Sequence, residues 1–136
     1  MIKKKQSNPG KVIIPVDLKK PPEKHEIDAA NILARHYKCD VEFIVTIDDY
    51  KRKNADVLMH GVIWEIKTPK GSSKHTIQKQ FRRASKQAKN IVLDTRATKL
   101  KYDRIEKQVR FEISRRPAIK KVILIDKFEK VVEIYK

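Results

Sequence analysis

Residues 55–67 read ADVLMHGVIWEIK, and this stretch decides the fold. Two runs rich in aliphatic and β-branched residues flank His60-Gly61, where glycine readily adopts the positive φ that a two-residue hairpin turn needs. The pattern predicts strands at 55–60 and 62–67 joined by this turn. In the register that the turn sets, Asp56 lies directly opposite Glu65.

The predicted hairpin collects ionisable side chains on one sheet face. Alternation along the strand puts Glu65 and Lys67 on the same face, and Asp56 joins them by cross-strand pairing. Two carboxylates at that spacing repel by roughly 3 kcal/mol at an effective dielectric near 20. A divalent cation between them turns repulsion into attraction, and oxygen ligands suit magnesium or manganese. The pattern favours a metal site; hydrated charges on an exposed edge hairpin are the alternative.

Further elements are predicted on both sides of the hairpin. Apolar residues three and four apart predict helices over 23–37, 75–89 and 100–114. Runs of β-branched residues predict strands at 41–46, 91–94, 121–125 and 130–135, the last two forming a hairpin. The order predicts an α/β fold.

The chain length predicts one domain. Residues 1–22 are expected to form an extended basic arm with a short strand at 12–14, and residues 23–136 a single domain. Within that domain, residues 23–94 form the core and residues 95–136 a C-terminal extension.

Composition excludes several classes of protein. The chain has 136 residues, of which 40% are hydrophobic and 37% are charged, so a disordered or low-complexity chain is not expected. No apolar run approaches the roughly 20 residues that span a bilayer, so we expect no membrane partner and a cytoplasmic location. The single cysteine, Cys39, excludes an internal disulfide and a multi-cysteine zinc site, and we expect a buried apolar thiol.

The charge of the chain indicates its partner. Thirty-three Lys and Arg against 17 Asp and Glu give a net charge of +16, which attracts polyanions such as nucleic acid. Residues 25–67 hold eight acidic and six basic residues, whereas residues 68–121 hold 17 basic and four acidic ones. One part of the chain therefore supplies carboxylates and the other supplies contacts to phosphate. A generally basic, ribosome-like surface is the alternative.

The motif Asp56, eight intervening residues, then Glu65-Ile66-Lys67 resembles the PD-(D/E)XK nuclease superfamily. That superfamily has a core of helix, three strands, helix and strand, and the predicted elements between residues 23 and 94 follow this order. The resemblance implies a restriction-endonuclease-like mixed sheet flanked by helices. Ala55 stands where the proline of the motif's name would be.

A narrower resemblance covers three segments: KHEIDAANILARHYKCDVEFI (24–44), ADVLMHGVIWEIKTPKGSSKHTI (55–77) and QAKNIVLD (87–94). They look like the C-terminal tRNA-nuclease toxin domains of contact-dependent inhibition proteins and other polymorphic toxins. This resemblance implies a metal-dependent endonuclease that cleaves tRNA in the cytoplasm of a target cell, with magnesium or manganese as cofactor. It also implies a small acidic immunity protein as partner.

The resemblance assigns roles to individual residues. Glu26 matches the helix carboxylate, Asp56 and Glu65 match the metal ligands, and Lys67 matches the catalytic lysine. Glu26 would bind the ion directly or through water. Glu23 is a rival to Glu26, because it also lies three or four residues from the helix's apolar stripe.

Two alternatives to a tRNA nuclease stay open at this point. One is a DNA endonuclease of the same fold, since both nucleic acids present phosphate to a basic surface. The other is a non-catalytic basic domain that binds nucleic acid, in which the acidic hairpin is incidental.

Polar and basic residues around the start of the second predicted helix are the candidate substrate-binding residues. Hydroxyls and free amides at a helix start favour phosphate, and the basic outer side of this helix would follow the backbone. These residues are Thr68, Ser72, Ser73, His75, Thr76, Lys79, Arg82, Arg83 and Lys86, joined by Arg104, Lys107 and Arg110 of the third helix. For His75, a general-base role is the alternative to a phosphate contact.

Overall fold

The turn at His60-Gly61 is formed as the sequence predicts. His60 has φ 52° and Gly61 has φ 73°, so both central residues adopt the positive φ of the turn that suits a twisted hairpin. The structure, a computed structural model, describes residues 10–18, 20–44, 55–84 and 90–135, without the side chains of residues 83 and 84.

Seven strands and three helices are formed by these residues. In chain order they are β1 (Val12–Ile13), α1 (Lys24–Tyr37), β2 (Val41–Phe43), β3 (Asp56–Met59), β4 (Val62–Lys67), α2 (Thr76–Ala84), β5 (Asn90–Asp94), α3 (Tyr102–Ser114), β6 (Lys121–Ile125) and β7 (Val131–Ile134). The predicted α/β class, with a mixed sheet flanked by helices, is confirmed.

All seven strands lie in one sheet, in the spatial order β1-β2-β3-β4-β5-β6-β7. Strands β2, β3 and β4 pair antiparallel, β4, β5 and β6 pair parallel, and β7 closes the sheet antiparallel to β6. The short strand expected in the arm is β1, which pairs parallel to β2 at the other edge.

Each face of the sheet packs against its own hydrophobic cluster. On one face, Leu33 and other residues of α1 pack with Trp64 and Ile66 of β4. On the opposite face, Ile77 and Phe81 of α2 and the apolar stripe of α3 pack on β5 and β6. Strand β4 supplies the first cluster through alternate residues, so its other residues, including Glu65 and Lys67, point toward the α2 and α3 side.

Some boundaries differ from the sequence prediction. Helix α3 begins at Tyr102 rather than residue 100, because the Thr98 hydroxyl accepts the N–H of Leu100 at 3.3 Å and holds that residue in a turn. Helix α2 begins at Thr76, one residue later than predicted. The predicted parts of elements at 45–46 and 85–89 lie outside the described residues.

Cys39 is partly rather than fully buried, because it lies in the turn after α1. Among the described residues, no helix has the length and apolar character needed to cross a bilayer.

Candidate active site

Asp56 and Glu65 are direct partners in the antiparallel β3/β4 ladder. Their neighbours Val57 and Trp64 also pair with each other and are buried in the α1 cluster. Because side chains alternate along a strand, the two carboxylates share the opposite face. The pairing predicted from the sequence is therefore formed. Directly opposed residues have Cβ atoms about 5 Å apart, which brings the two carboxylates close together.

Lys67 lies on the same face as this carboxylate pair, two residues beyond Glu65. Its Nζ lies 3.2 Å from Oε2 of Glu65, and only 3% of the Lys67 side chain is exposed, against 19% for Glu65. On the other side of β4, Lys67 pairs with Leu93, which is fully buried. The ammonium group is therefore held by a fixed strand and a carboxylate partner rather than by solvent.

Glu26 approaches the hairpin from the first turn of α1. The residue is 7% exposed, and its Oε2 accepts the backbone N–H of Ala55 at 3.1 Å. Its Oε1 accepts the backbone N–H of Glu23 at 2.8 Å, which caps the start of the helix. The Glu23 side chain is 61% exposed. The structure thus places the Glu26 carboxylate next to the strand that carries Asp56.

The donor set fits a hard divalent cation held by two carboxylates. Within the described ranges, no group of three or more His, Cys, Asp or Glu residues lies close enough together to hold a metal ion. Magnesium is usually bound by only one or two carboxylates, with water and substrate phosphate filling its other positions. Asp56 and Glu65 meet that requirement.

The loop of residues 68–75 leads from β4 to α2. Some of its polar side chains hydrogen-bond within the loop, and others do not. Ser73 and Thr76 bond to the loop itself: the Thr76 hydroxyl accepts the N–H of Ser73, and the Ser73 hydroxyl accepts the N–H of His75, both at 3.1 Å. By contrast, the buried hydroxyl of Thr68 has no hydrogen-bond partner among the described residues. Ser72 is exposed on the loop.

Two contacts that the sequence did not suggest fix this loop. The Thr98 hydroxyl donates to the carbonyl of Gly71 at 2.5 Å, and the Gln108 amide donates to the carbonyl of Lys74 at 2.9 Å. Residue 71 also lies close to α2: a Cβ there would come within 2.7 Å of the Thr76 hydroxyl, so a larger residue would displace that side chain. These partners are 27 and 34 residues apart, so no local pattern marks them.

An ion pair between Asp94 and Arg96 connects the end of β5 to helix α1. Arg96 donates to both carboxylate oxygens of Asp94, at 2.9 and 2.8 Å, and to the carbonyl of His25 at 3.1 Å. The bonds to Asp94 raise the pKa of the guanidinium. The end of β5 is thereby tied to the first turn of α1, which carries Glu26. In the sequence, this ion pair is indicated only by an aspartate at the end of a buried strand with an arginine two residues later.

The described part of α2 and helix α3, which carry basic residues predicted to contact substrate, pack on the same side of the sheet as the carboxylates. Lys79 and Arg82 of α2 are exposed, whereas the side chain of Arg83 and all of Lys86 lie outside the described residues. His75 is exposed and its Nδ1 lies 3.2 Å from the Gln78 side-chain oxygen. On α3, the exposed basic residues are Arg104, Lys107 and Arg110, the last of which pairs with Glu106 at 2.9 Å.

The fold of the described residues, a mixed sheet flanked by helices, has a counterpart among solved structures. It is similar to a chain of the CdiA-CT/CdiI toxin and immunity complex from Burkholderia pseudomallei, with 20% sequence identity and a TM-score of 0.67. The similarity covers 90% of this chain and 98% of that chain. No curated protein matches the chain.

The family follows from the sequence itself. Residues 53–131, more than half of the chain, match the model of the contact-dependent growth inhibition CdiA C-terminal domain. The chain belongs to this family of toxin domains.

Proposed function

We propose that this toxin domain is a metal-dependent nuclease of the PD-(D/E)XK type and that it cleaves tRNA. The observation that carries the proposal is the ladder pairing of Asp56 with Glu65, with the buried ammonium of Lys67 on the same face. Opposed carboxylates with one lysine match the requirements of phosphodiester hydrolysis: a cation site and a fixed positive charge.

Asp56 and Glu65 would hold a magnesium ion, with manganese as a substitute. When bound, such an ion neutralises charge on the phosphoryl oxygens and lowers the pKa of a bound water. Lys67 would orient the attacking water and offset the negative charge that develops in the transition state. Its strand and its 3.2 Å contact with Glu65 hold the ammonium in place before substrate arrives.

Substrate binding is assigned to the loop of residues 68–75 and the outer side of α2. Thr68 follows the proposed catalytic lysine directly, and its hydroxyl lacks a partner within the described part of the chain. Lys79 and Arg82 are exposed further along the same segment. A net charge of +16 supplies the long-range attraction for any nucleic acid, and the preference for tRNA rests on the family resemblance.

The natural partner is proposed to be a small acidic immunity protein. The similar Burkholderia pseudomallei chain comes from a toxin and immunity complex, and a protein with a net charge of +16 suits an acidic inhibitor. On this proposal the domain acts in the cytoplasm of a target cell.

The test is cleavage by the purified full chain. Labelled tRNA, single-stranded DNA and duplex DNA are each incubated with magnesium or with a chelator. We expect tRNA to be cut only when magnesium is present. Metal-dependent cleavage of DNA with tRNA left intact would show that the substrate is DNA and would contradict the tRNA proposal. Tight binding of nucleic acid with no cleavage in any condition would overturn the nuclease proposal.

A further inference from the structure

Both carboxylate oxygens of Glu26 accept hydrogen bonds from backbone N–H groups. Oε1 receives the N–H of Glu23 at 2.8 Å, and Oε2 receives the N–H of Ala55 at 3.1 Å. The residue is 7% exposed, so its charge needs such partners to offset the cost of burial. Hydrogen bonds to an ionised acceptor are also stronger than those between neutral groups.

Ala55 links this carboxylate to the candidate site. Its N–H binds Glu26, and its carbonyl accepts the N–H of Ile66 at 2.9 Å. Asp56 follows Ala55 directly, while Ile66 lies between Glu65 and Lys67. One residue therefore connects the first turn of α1 to both strands of the hairpin at the level of the proposed ligands.

We propose that Glu26 is a positioning residue: it fixes Ala55, and through Ala55 the relative placement of Asp56, Glu65 and Lys67, and it does not bind the metal ion. The inference rests on the proposed function for the identity of the groups that are positioned. It departs from the ligand role that the family resemblance implies. It agrees with a donor set in which the described residues offer two opposed carboxylates rather than a cluster of three.

The direct test follows the amide of Ala55 by NMR hydrogen exchange in the full ¹⁵N-labelled chain, first with chelator and then with magnesium alone. With chelator we expect a protected Ala55 amide, and exchange at least about tenfold faster in Glu26→Ala, corresponding to a loss of roughly 1.4 kcal/mol. Magnesium should shift the resonances of Asp56 and Glu65 and leave Ala55 protected. Faster exchange at Ala55 on adding magnesium would mean that Glu26 moves to the ion, and would overturn the proposal.

This readout separates the two proposals. If magnesium shifts no resonance near Asp56 or Glu65, the metal-dependent function fails, while protection of Ala55 with chelator still reports on Glu26. Equal exchange at Ala55 in wild type and Glu26→Ala would overturn the positioning role whatever the ion does. The wild-type comparison with and without magnesium does not depend on the Ala variant folding.

Cleavage kinetics of conservative variants give the second test. In Glu26→Gln the remaining carbonyl oxygen can still accept from Ala55, and water can satisfy the N–H of Glu23 at the helix end. We expect Glu26→Gln to keep cleavage within about fivefold of wild type and Glu26→Ala to lose about 10- to 100-fold in kcat with little change in KM. The control is Asp28→Ala, a change on the same helix at a residue that pairs with the exposed Lys24 at 3.1 Å and not with Ala55, and it should leave kcat unchanged. A Gln variant as inactive as the Ala variant would indicate that the negative charge itself is required, as for a ligand, and would contradict positioning.

Discussion

The ammonium of Lys67 lies 3.2 Å from Oε2 of Glu65, and the Lys67 side chain is almost completely removed from solvent. The ion pair therefore joins Glu65, which we propose as a metal ligand, to Lys67, which we propose to orient the attacking water. Since a lysine in this position cannot ligate a cation, the pair divides two roles between adjacent groups on one strand. The division can be tested by changing one partner at a time.

Replacing Lys67 by Met should abolish cleavage and preserve metal binding. Met keeps the apolar stem of the side chain but removes the charge that offsets the transition state, so single-turnover cleavage should fall by at least about 100-fold. Affinity for magnesium, measured by calorimetry, should stay the same or increase, because Glu65 loses its competing cation. A loss of metal affinity as large as that of Asp56→Asn would contradict the division of roles.

The exposed basic residues of α2 should contribute to the binding of substrate phosphates. Replacing Lys79 and Arg82 together by Gln should weaken tRNA binding and flatten the dependence of log K on log salt by up to about two units. The matched control replaces Lys24 and Arg35 by Gln, since these exposed residues lie on α1, across the sheet.

Fluorescence anisotropy at several salt concentrations measures both double variants. We expect the control slope to stay close to the wild-type slope. If the two double variants behave alike, substrate is not bound along α2.

The hydrogen bond from Thr98 to Gly71 should matter for substrate as well as for stability. Thr98→Val removes the partly buried bond of 2.5 Å to Gly71 and the acceptor of the Leu100 N–H, and it should lower the free energy of unfolding by about 1–2 kcal/mol. Thr95→Val is the matched control, because the buried Thr95 hydroxyl donates to the carbonyl of Ile125 at 2.8 Å, away from the loop. Urea unfolding should place the two variants close together. Only Thr98→Val should weaken tRNA binding, and an equal effect of both would remove the loop from the substrate site.

A cluster at the opposite end of the molecule predicts acid sensitivity. Hydrogen bonds from Tyr135 and Tyr37 hold the pKa of the Glu133 carboxyl below its usual value. A carboxyl with a lowered pKa in the folded state stabilises the protein above its unfolded pKa, and the contribution disappears as the pH falls through the folded value. Tyr37→Phe should therefore melt at a lower temperature than wild type at pH 7, and the difference should shrink below about pH 4. A difference that is constant with pH would contradict this account.

Local patterns were sufficient to predict the sheet face that carries the candidate site. The His60-Gly61 turn fixes the register, and once the register is fixed, alternation determines that Asp56 meets Glu65 and that Lys67 shares their face. Most elements were predictable for the same reason, since periodicity reports burial directly.

The contacts that hold the site together were not predictable in this way. Glu26 reaches Ala55 across 29 residues, and Thr98 and Gln108 reach the loop of residues 68–75 from a later part of the chain. Such bonds depend on how separate elements pack, and a single glutamate on a helix carries no mark of its distant partner. The sequence could therefore identify Glu26 as a candidate but could not distinguish a ligand from a positioning residue.

The measurement that tests the central claim most directly is single-turnover cleavage of tRNA by wild type, Asp56→Asn and Glu65→Gln, with magnesium and with chelator. Asp103→Asn, an exposed change of the same chemistry on α3, is the control. We predict metal-dependent cleavage by wild type and the control, and a loss of more than about 100-fold, or roughly 3 kcal/mol, in both site variants with tRNA affinity retained. Full cleavage by either site variant, or wild-type cleavage that persists with chelator, would contradict the assignment of Asp56 and Glu65 as a metal site.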